Sequence, residues 1–133
     1  MVLRTWYFCI NEAGFERSLG LLTAAVTSAR RNTALRPVAL YNGADPGHEA
    51  QLRALGAEVV RHRSSFEDDL RVGYGERFEA FSGHWLRVDL PLVAREEDVV
   101  LYTDVDVMFL RHPEVAPPPP SSTSPTSPTS AAA

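Results

Sequence analysis

The chain contains no lysine, and all 13 of its basic residues are arginines. The 17 acidic residues outnumber them, which gives a formal net charge of -4 at pH 7. A chain with this balance has no general attraction for the phosphate backbone of nucleic acids or for anionic lipid surfaces. Composition therefore predicts no nucleic-acid partner.

Cysteine is also scarce, since Cys9 is the single one in 133 residues. A lone cysteine cannot form a disulfide within the chain. Long apolar runs are missing too, because Asn11 and Glu12 interrupt the first one and no other reaches the length that a membrane span requires. These absences predict a soluble, cytoplasmic protein without a membrane span, and they leave its oligomeric state open.

The end of the chain differs in composition from the rest. Residues 117–133 consist only of Pro, Ser, Thr and Ala. Such a segment has no large apolar side chain that could dock on a core, so we predict a disordered tail with polyproline II character. We expect one folded domain over residues 1–116, and whether the tail is a linker or a truncated or frame-shifted end stays open.

Strand and helix patterns alternate along the first 116 residues. We predict strands at Val2–Ile10, Pro37–Tyr41, Ala57–Val60 and Val99–Tyr102, helices at Glu16–Arg31, His48–Leu55 and 79–94, and an irregular loop at Arg61–Gly75. Pro91 interrupts the last helix, and Gly56 closes the second. The alternation indicates an α/β fold, a Rossmann-like, mainly parallel sheet of about four strands covered by helices.

Polar residues follow three of the four predicted strands. They are Asn11-Glu12, Asn42-Gly43 and Asp104-Val105-Asp106. Because ligands of parallel α/β sheets bind beyond the carboxyl ends of the strands, we expect a ligand site at this edge.

The run from Asp98 to Leu110 carries the strongest functional signal. An apolar strand ends in Asp104 and Asp106, which leave the same face of the backbone if the segment is extended. Two like charges this close favour a divalent cation between them. A bare Asp-x-Asp arises by chance in about one chain in three of this composition, and its carboxylates can also be solvated. The apolar residues on both sides of this pair favour the metal interpretation.

A longer pattern adds a family resemblance. Trp85-Leu86-Arg87-Val88-Asp89-Leu90-Pro91-Leu92, a short acidic spacer and Val99 to Val107 resemble the central motif of glycosyltransferases with the GT-A fold, most closely the retaining, family-eight type. The resemblance implies the N-terminal, donor-binding half of a transferase that uses a nucleotide-diphosphate sugar, in this case a UDP-sugar, and Mn2+ or Mg2+.

The same resemblance assigns roles to individual residues. It implies that Asp104 lies near the ribose and the metal, that Asp106 coordinates the metal, and that Arg87 contacts the donor. It makes Asn11 and Glu12 candidates for the nucleoside. For Asn11 and Glu12, a turn and a helix lead-in is the favoured alternative. Arg87 is accounted for as well by a surface helix cation or an ion pair with Asp89 or Glu96.

The chain departs from the family after Asp106. Family members continue with an acceptor-binding half and a further metal ligand, and two carboxylates alone hold a cation weakly. We therefore expect weak or no transferase activity from these 133 residues. Two alternatives remain open: a haloacid-dehalogenase-like phosphohydrolase with Asp104 as nucleophile, and a non-catalytic nucleotide-sugar-binding or interaction module.

Overall fold

The computed structural model describes residues 2–117 and 119–121. Within them, the strands are β1 (Thr5–Asn11), β2 (Arg36–Asn42), β3 (Glu58–Arg61) and β4 (Leu101–Tyr102). The helices are α1 (Phe15–Asn32), α2 (Pro46–Leu55), α3 (Glu67–Tyr74), α4 (Phe78–Trp85) and α5 (Leu90–Val93), with 3-10 turns at Gly75–Arg77 and Leu86–Asp89. The strands form one sheet in the order β3-β2-β1-β4, and every pair is parallel. The predicted α/β fold with a helix-covered parallel sheet is confirmed.

The two central strands are buried on both faces, as parallel strands between helix layers usually are. On one face, Trp6 and Phe8 pack into a cluster with Phe15 and Leu22 of α1 and Leu52 of α2. On the other face, a second cluster fills the space below the 3-10 turn and α5; it comprises Tyr7, Val38, Leu40, Leu86 and Leu90. The near-continuous apolar runs of β1 and β2 follow from this double burial.

Local signals set the ends of α2. Asp45 caps its start by accepting a hydrogen bond from the Gly47 N–H at 2.8 Å, and Pro46 occupies the first turn, where its missing N–H costs nothing. Gly56 ends the helix at φ 101°, a left-handed conformation that glycine adopts without strain. The predicted helix thus begins two residues earlier than His48.

The predicted irregular loop at Arg61–Gly75 is wrong, because Glu67–Tyr74 form α3. Its buried face consists of Leu70 and Glu67, and the Glu67 carboxylate pairs with Arg63 and Arg71. A helix that buries one leucine and one ion-paired carboxylate has no apolar stripe, so hydrophobic periodicity does not reveal it.

The predicted helix over 79–94 with an interruption at Pro91 is divided, into α4, the 3-10 turn and α5, and Pro91 lies in the first turn of α5, where proline is tolerated. Asp89, at the end of the 3-10 turn, is 2% exposed and lies 2.7 Å from His62 Nε2. Ser65 donates to the same carboxylate through its N–H at 2.7 Å and through its hydroxyl at 2.8 Å. These bonds hold Asp89 facing inward at the point where the 3-10 turn meets α5.

The predicted tail over 117–133 lies outside the described residues, except for 117 and 119–121, which form no regular secondary structure. In the part of the chain that the structure describes, no helix combines the length and apolarity needed to cross a bilayer.

Candidate functional site

A cavity of about 270 Å³ opens at the carboxyl end of the sheet, beside the ends of β1 and β4. We call it the β1–β4 cavity. The first turn of α1 and one side of α4 complete its wall. Its polar lining includes Asn11, Arg17, Ser18, His84, Asp104 and Asp106, and its apolar lining includes Ile10, Leu21 and Val105. The predicted ligand edge therefore carries a real concavity.

The Asp104–Asp106 segment is fixed from both ends. Ahead of it, the Thr103 N–H donates to the Tyr7 carbonyl at 3.3 Å, and Trp6 Nε1 donates to the Thr103 hydroxyl at 2.9 Å. Behind it, the buried Phe109 ring lies 4.8 Å from the Trp6 ring, and its N–H donates to Ser28 Oγ at 2.9 Å. Phe109 and the partly buried Val107 therefore anchor this segment on the core, whereas Met108 and Leu110 are exposed.

The expectation that an extended strand presents both carboxylates is wrong in detail. Strand β4 ends at Tyr102, and the chain bends at Val105 and Asp106. Asp104 and Asp106 nevertheless line the same cavity, and both are exposed to solvent. The bend, and not the alternation of a strand, gives them this common cavity.

Two titratable groups beside Asp104 stay protonated near neutral pH. Burial raises the pKa of the Cys9 thiol to about 12, with the charge of Asp104 adding to the effect and that of Arg87 opposing it. Burial also raises the pKa of Tyr102, whose hydroxyl donates to Asp104 Oδ1 at 2.9 Å. Neither group is a ready base or nucleophile, and Tyr102 leaves the second Asp104 oxygen available.

Asn11 lies at the floor of the cavity but is occupied with internal bonds. Its Nδ2 donates to the Glu79 carbonyl at 2.8 Å and to Ser82 Oγ at 3.0 Å, and its Oδ1 accepts from the Gly14 N–H at 2.8 Å. A Cβ on Gly83 would lie 3.3 Å from Asn11 Cγ, so glycine permits this close approach of α4. The amide ties α4 to the end of β1, and its contact with a nucleoside stays a prediction.

Arg87 is exposed on the 3-10 turn and does not line the cavity. Its charge nevertheless lowers the pKa of Cys9 and of Tyr102 against the dominant effect of burial, which places it near both. The alternative that Asp89 is its ion-pair partner is not supported, because the Asp89 carboxylate is held by His62 and Ser65. The role of Arg87 in donor contact stays a prediction.

Glu12 is separated from the other predicted site residues. It lies on the β2 side of β1, borders a second cavity of about 430 Å³, and does not line the β1–β4 cavity. Glu12 also forms a group with Asp45 and His48, which do not line that cavity, and the ligand atoms of the three residues all lie within 4.8 Å of one another. We call this group the Glu12–Asp45–His48 cluster.

Sequence reasoning missed two nitrogen-bearing side chains of the β1–β4 cavity. Arg17 comes from the first turn of α1, and His84 comes from the end of α4. The signal for Arg17 was its position one turn into the helix that follows β1. His84 carried no comparable signal, because the break after Trp85 decides which way α4 faces.

Comparison of the chain with protein-family models, with curated proteins and with solved structures gives no match. The family-eight resemblance therefore depends on the motif residues quoted above.

Proposed function

We propose that this chain is the donor-binding half of a metal-dependent glycosyltransferase, and that the β1–β4 cavity binds a nucleoside diphosphate sugar. The observation that carries the proposal is that Asp104 and Asp106 line one cavity together with the first turn of α1. The cavity lies at the carboxyl edge of a parallel sheet, where nucleotides bind in folds of this class.

The metal would be Mn2+ or Mg2+, and the residues present fit it. Asp104 and Asp106 offer the hard oxygen donors that these cations prefer, and both carboxylates are exposed to incoming ligand. Two carboxylates make a weak site, so phosphate oxygens of the donor complete it. When bound, the cation supplies Lewis-acid stabilisation of the leaving diphosphate.

Residues of the cavity wall would bind the parts of the nucleoside diphosphate that the cation does not contact. Gly14, Arg17 and Ser18 bring the positive end of the α1 dipole to the cavity wall. Arg17 lines the cavity, and the charge of Arg87 acts on Cys9 and Tyr102, which line it as well. Arginine suits phosphate because its donors form a fixed fork. Ile10, Leu21 and Val105 provide apolar surface for a base or ribose face.

Non-catalytic binding of the nucleotide sugar is the second candidate. The observation in its favour is that the described lining of the β1–β4 cavity offers two carboxylates, Asp104 and Asp106, which alone hold a cation weakly. The metal requirement of binding distinguishes the two functions, because the donor-binding half needs the cation to hold the diphosphate, whereas the non-catalytic module still binds the donor after the metal is removed. A phosphohydrolase would instead form an aspartyl phosphate on Asp104. The cytoplasmic location stays a prediction from composition.

A thermal-shift titration tests the proposal. The melting temperature is measured with UDP, GDP and their sugars, each with and without Mn2+. A nucleotide present at 100 times its Kd stabilises the folded state by about 2.7 kcal/mol, which raises the melting temperature by several degrees. We expect this rise only with metal and one nucleotide together, and we expect Asp104→Asn/Asp106→Asn to abolish it.

The matched control is Asp68→Asn/Asp69→Asn, which removes two exposed carboxylates from α3. It should keep the full rise. A rise that does not need metal, or that persists in the Asp104→Asn/Asp106→Asn variant, would refute the proposed site.

A further inference from the structure

We propose that the Glu12–Asp45–His48 cluster binds a divalent transition-metal ion of the zinc class, at a site separate from the β1–β4 cavity. The three residues come from the end of β1, the residue before α2 and the first turn of α2. Asp45 and His48 are three residues apart, whereas Glu12 is remote in sequence and is brought beside them by the parallel pairing of β1 with β2. The inference does not depend on the proposed transferase function.

The spacing around His48 Nε2 suits a bound ion better than a hydrogen bond. Nε2 lies 3.6 Å from Asp45 Oδ2 of the cluster, and 3.4 Å from Oε1 of Glu16, a neighbouring exposed carboxylate that would add a further ligand. Good hydrogen bonds of this kind are about 2.7–3.2 Å long. Two ligands bound to a tetrahedral ion at about 2.0–2.1 Å lie about 3.4 Å from each other. The observed separations therefore match a pair of ligands that share one small ion.

His48 is held in the manner of a metal ligand. The residue is 8% exposed, and its ring stacks on Phe15 with 3.9 Å between centroids. Its other nitrogen, Nδ1, lies 2.9 Å from the Tyr41 hydroxyl. Ligating histidines usually have their second ring nitrogen fixed by such a partner, which orients the ring and selects the tautomer. This buried, oriented imidazole is an observation independent of the carboxylates around it.

The carboxylates retain free oxygens for an ion. Asp45 uses Oδ1 to cap α2, so Oδ2 is the oxygen that faces His48. Glu12 uses Oε1 to accept from the Ala44 N–H at 3.3 Å. Within the part of the chain that the structure describes, the ion pairs of Glu16 and Asp45 are with His48, and none is with an arginine. A divalent cation would offset this concentration of negative charge.

The donor set selects the kind of metal. One imidazole nitrogen with two or three carboxylate oxygens suits zinc, cobalt or nickel, whereas oxygen-only sets suit magnesium and calcium. Asp104 and Asp106 provide an oxygen-only set. The two sites should therefore differ in metal preference, and this difference separates them by experiment.

Titration of the metal-free protein with Co2+ tests the site, because four-coordinate cobalt has intense visible absorption and zinc then displaces it. We expect the absorption to saturate at one equivalent of Co2+ in the wild type and in Asp104→Asn/Asp106→Asn. The control Glu76→Gln, which changes an exposed glutamate of the Gly75–Arg77 turn, should behave in the same way. The variant Glu12→Gln/Asp45→Asn should lose affinity by more than about 100-fold. Asn at position 45 still caps α2, so the fold is kept.

Tyr41→Phe removes the hydroxyl that orients His48 and leaves every direct ligand in place. Its Co2+ affinity should fall by about tenfold, the usual effect of losing an outer partner. A fold defect alone would not change the wavelength of absorption, whereas an altered tautomer would.

Two results would overturn the inference. One is wild-type Co2+ absorption no stronger than that of Glu12→Gln/Asp45→Asn. The other is a nitrogen NMR spectrum in which His48 Nε2 keeps its proton at saturating zinc, because a protonated ring nitrogen has no lone pair with which to bind the ion.

Discussion

Two groups of carboxylates lie at the same edge of one sheet, and the fold holds them to very different degrees. Asp104 and Asp106 are exposed and follow a strand of two residues. In the Glu12–Asp45–His48 cluster, the imidazole is buried, stacked on Phe15 and bonded to Tyr41. The first group is adjacent in sequence, whereas the second is assembled by folding.

The difference separates a recognisable motif from a preorganised site. An exposed pair of aspartates costs the fold little and binds a cation well only when phosphate completes the coordination. A buried imidazole with fixed partners has already lost its rotational freedom before a metal arrives. We therefore expect the first site to depend on a ligand and the second to bind metal without one.

The sharpest test of the comparison is the effect of each group on stability. In chelator-treated protein, His48→Ala should lower the free energy of unfolding by about 2–4 kcal/mol, because it removes a buried ring and the partner of the Tyr41 hydroxyl. Asp104→Asn/Asp106→Asn should change it by less than about 0.5 kcal/mol. Urea unfolding measures both, and equal effects would remove the distinction drawn here.

The next largest effect on stability is expected from Asp89, whose buried carboxylate is bonded to His62 and Ser65. Asp89→Asn should lower the free energy of unfolding by about 2 kcal/mol at pH 7, since it weakens three hydrogen bonds to a buried carboxylate. Burial opposes ionisation, but the bonds from His62 and Ser65 outweigh it and hold the pKa of Asp89 below its ordinary 3.8.

A lowered pKa fixes the sign of the pH dependence. The stabilisation by Asp89 is complete above pH 3.8 and is lost as the pH falls through the still lower value of the folded state. The gap between wild type and Asp89→Asn should therefore shrink during acid titration followed by circular dichroism. A gap that widens as the pH falls would contradict this assignment.

A smaller effect tests the packing beside the cluster. A Cβ on Gly43 would lie 2.5 Å from the Tyr41 ring and 2.9 Å from Glu12 Cβ. Gly43→Ala should therefore displace Tyr41, cost about 1–2 kcal/mol of stability and weaken Co2+ binding by the cluster. Gly20→Ala is the matched control, because no atom lies within 4 Å of the added group. Unchanged Co2+ affinity in Gly43→Ala would show that Tyr41 does not orient His48.

The smallest effect is expected beside Asp104. Tyr102→Phe removes one hydrogen bond to a solvent-exposed carboxylate. The free energy of unfolding should change by less than about 1 kcal/mol. Binding of UDP with Mn2+ should change by only a few-fold, as measured by calorimetry. A loss as large as that of Asp104→Asn/Asp106→Asn would mean that Tyr102 contacts the ligand directly.

Most of the scaffold was predictable because its signals are local. The apolar runs predicted β1 and β2, and Gly56 marked the end of α2. Helix α3 was not predictable, since Arg63 and Arg71 neutralise its buried Glu67 and remove the need for an apolar stripe. Pro91 predicted an interruption of the helix over 79–94, but the bonds of Asp89 to His62 and Ser65 become visible only after folding.

The two candidate sites also differ in how far the sequence predicts them. The Asp-x-Asp spacing identified Asp104 and Asp106 as candidate metal ligands from the sequence. The structure places both in the lining of one cavity, and metal binding there stays a prediction. The strand alternation offered as the reason did not apply, because the chain bends after β4. Glu12 was noticed as a polar strand end, but its grouping with Asp45 and His48 depends on the register of β1 with β2.

Calorimetric titration of Mn2+ into the protein with UDP present tests the central claim most directly. We expect one saturable site that requires both components, weakened at least tenfold in Asp104→Asn/Asp106→Asn and unchanged in Glu12→Gln/Asp45→Asn. Equal Mn2+–UDP affinity in the wild type and in Asp104→Asn/Asp106→Asn would contradict the claim that the β1–β4 cavity is a metal-dependent nucleotide site.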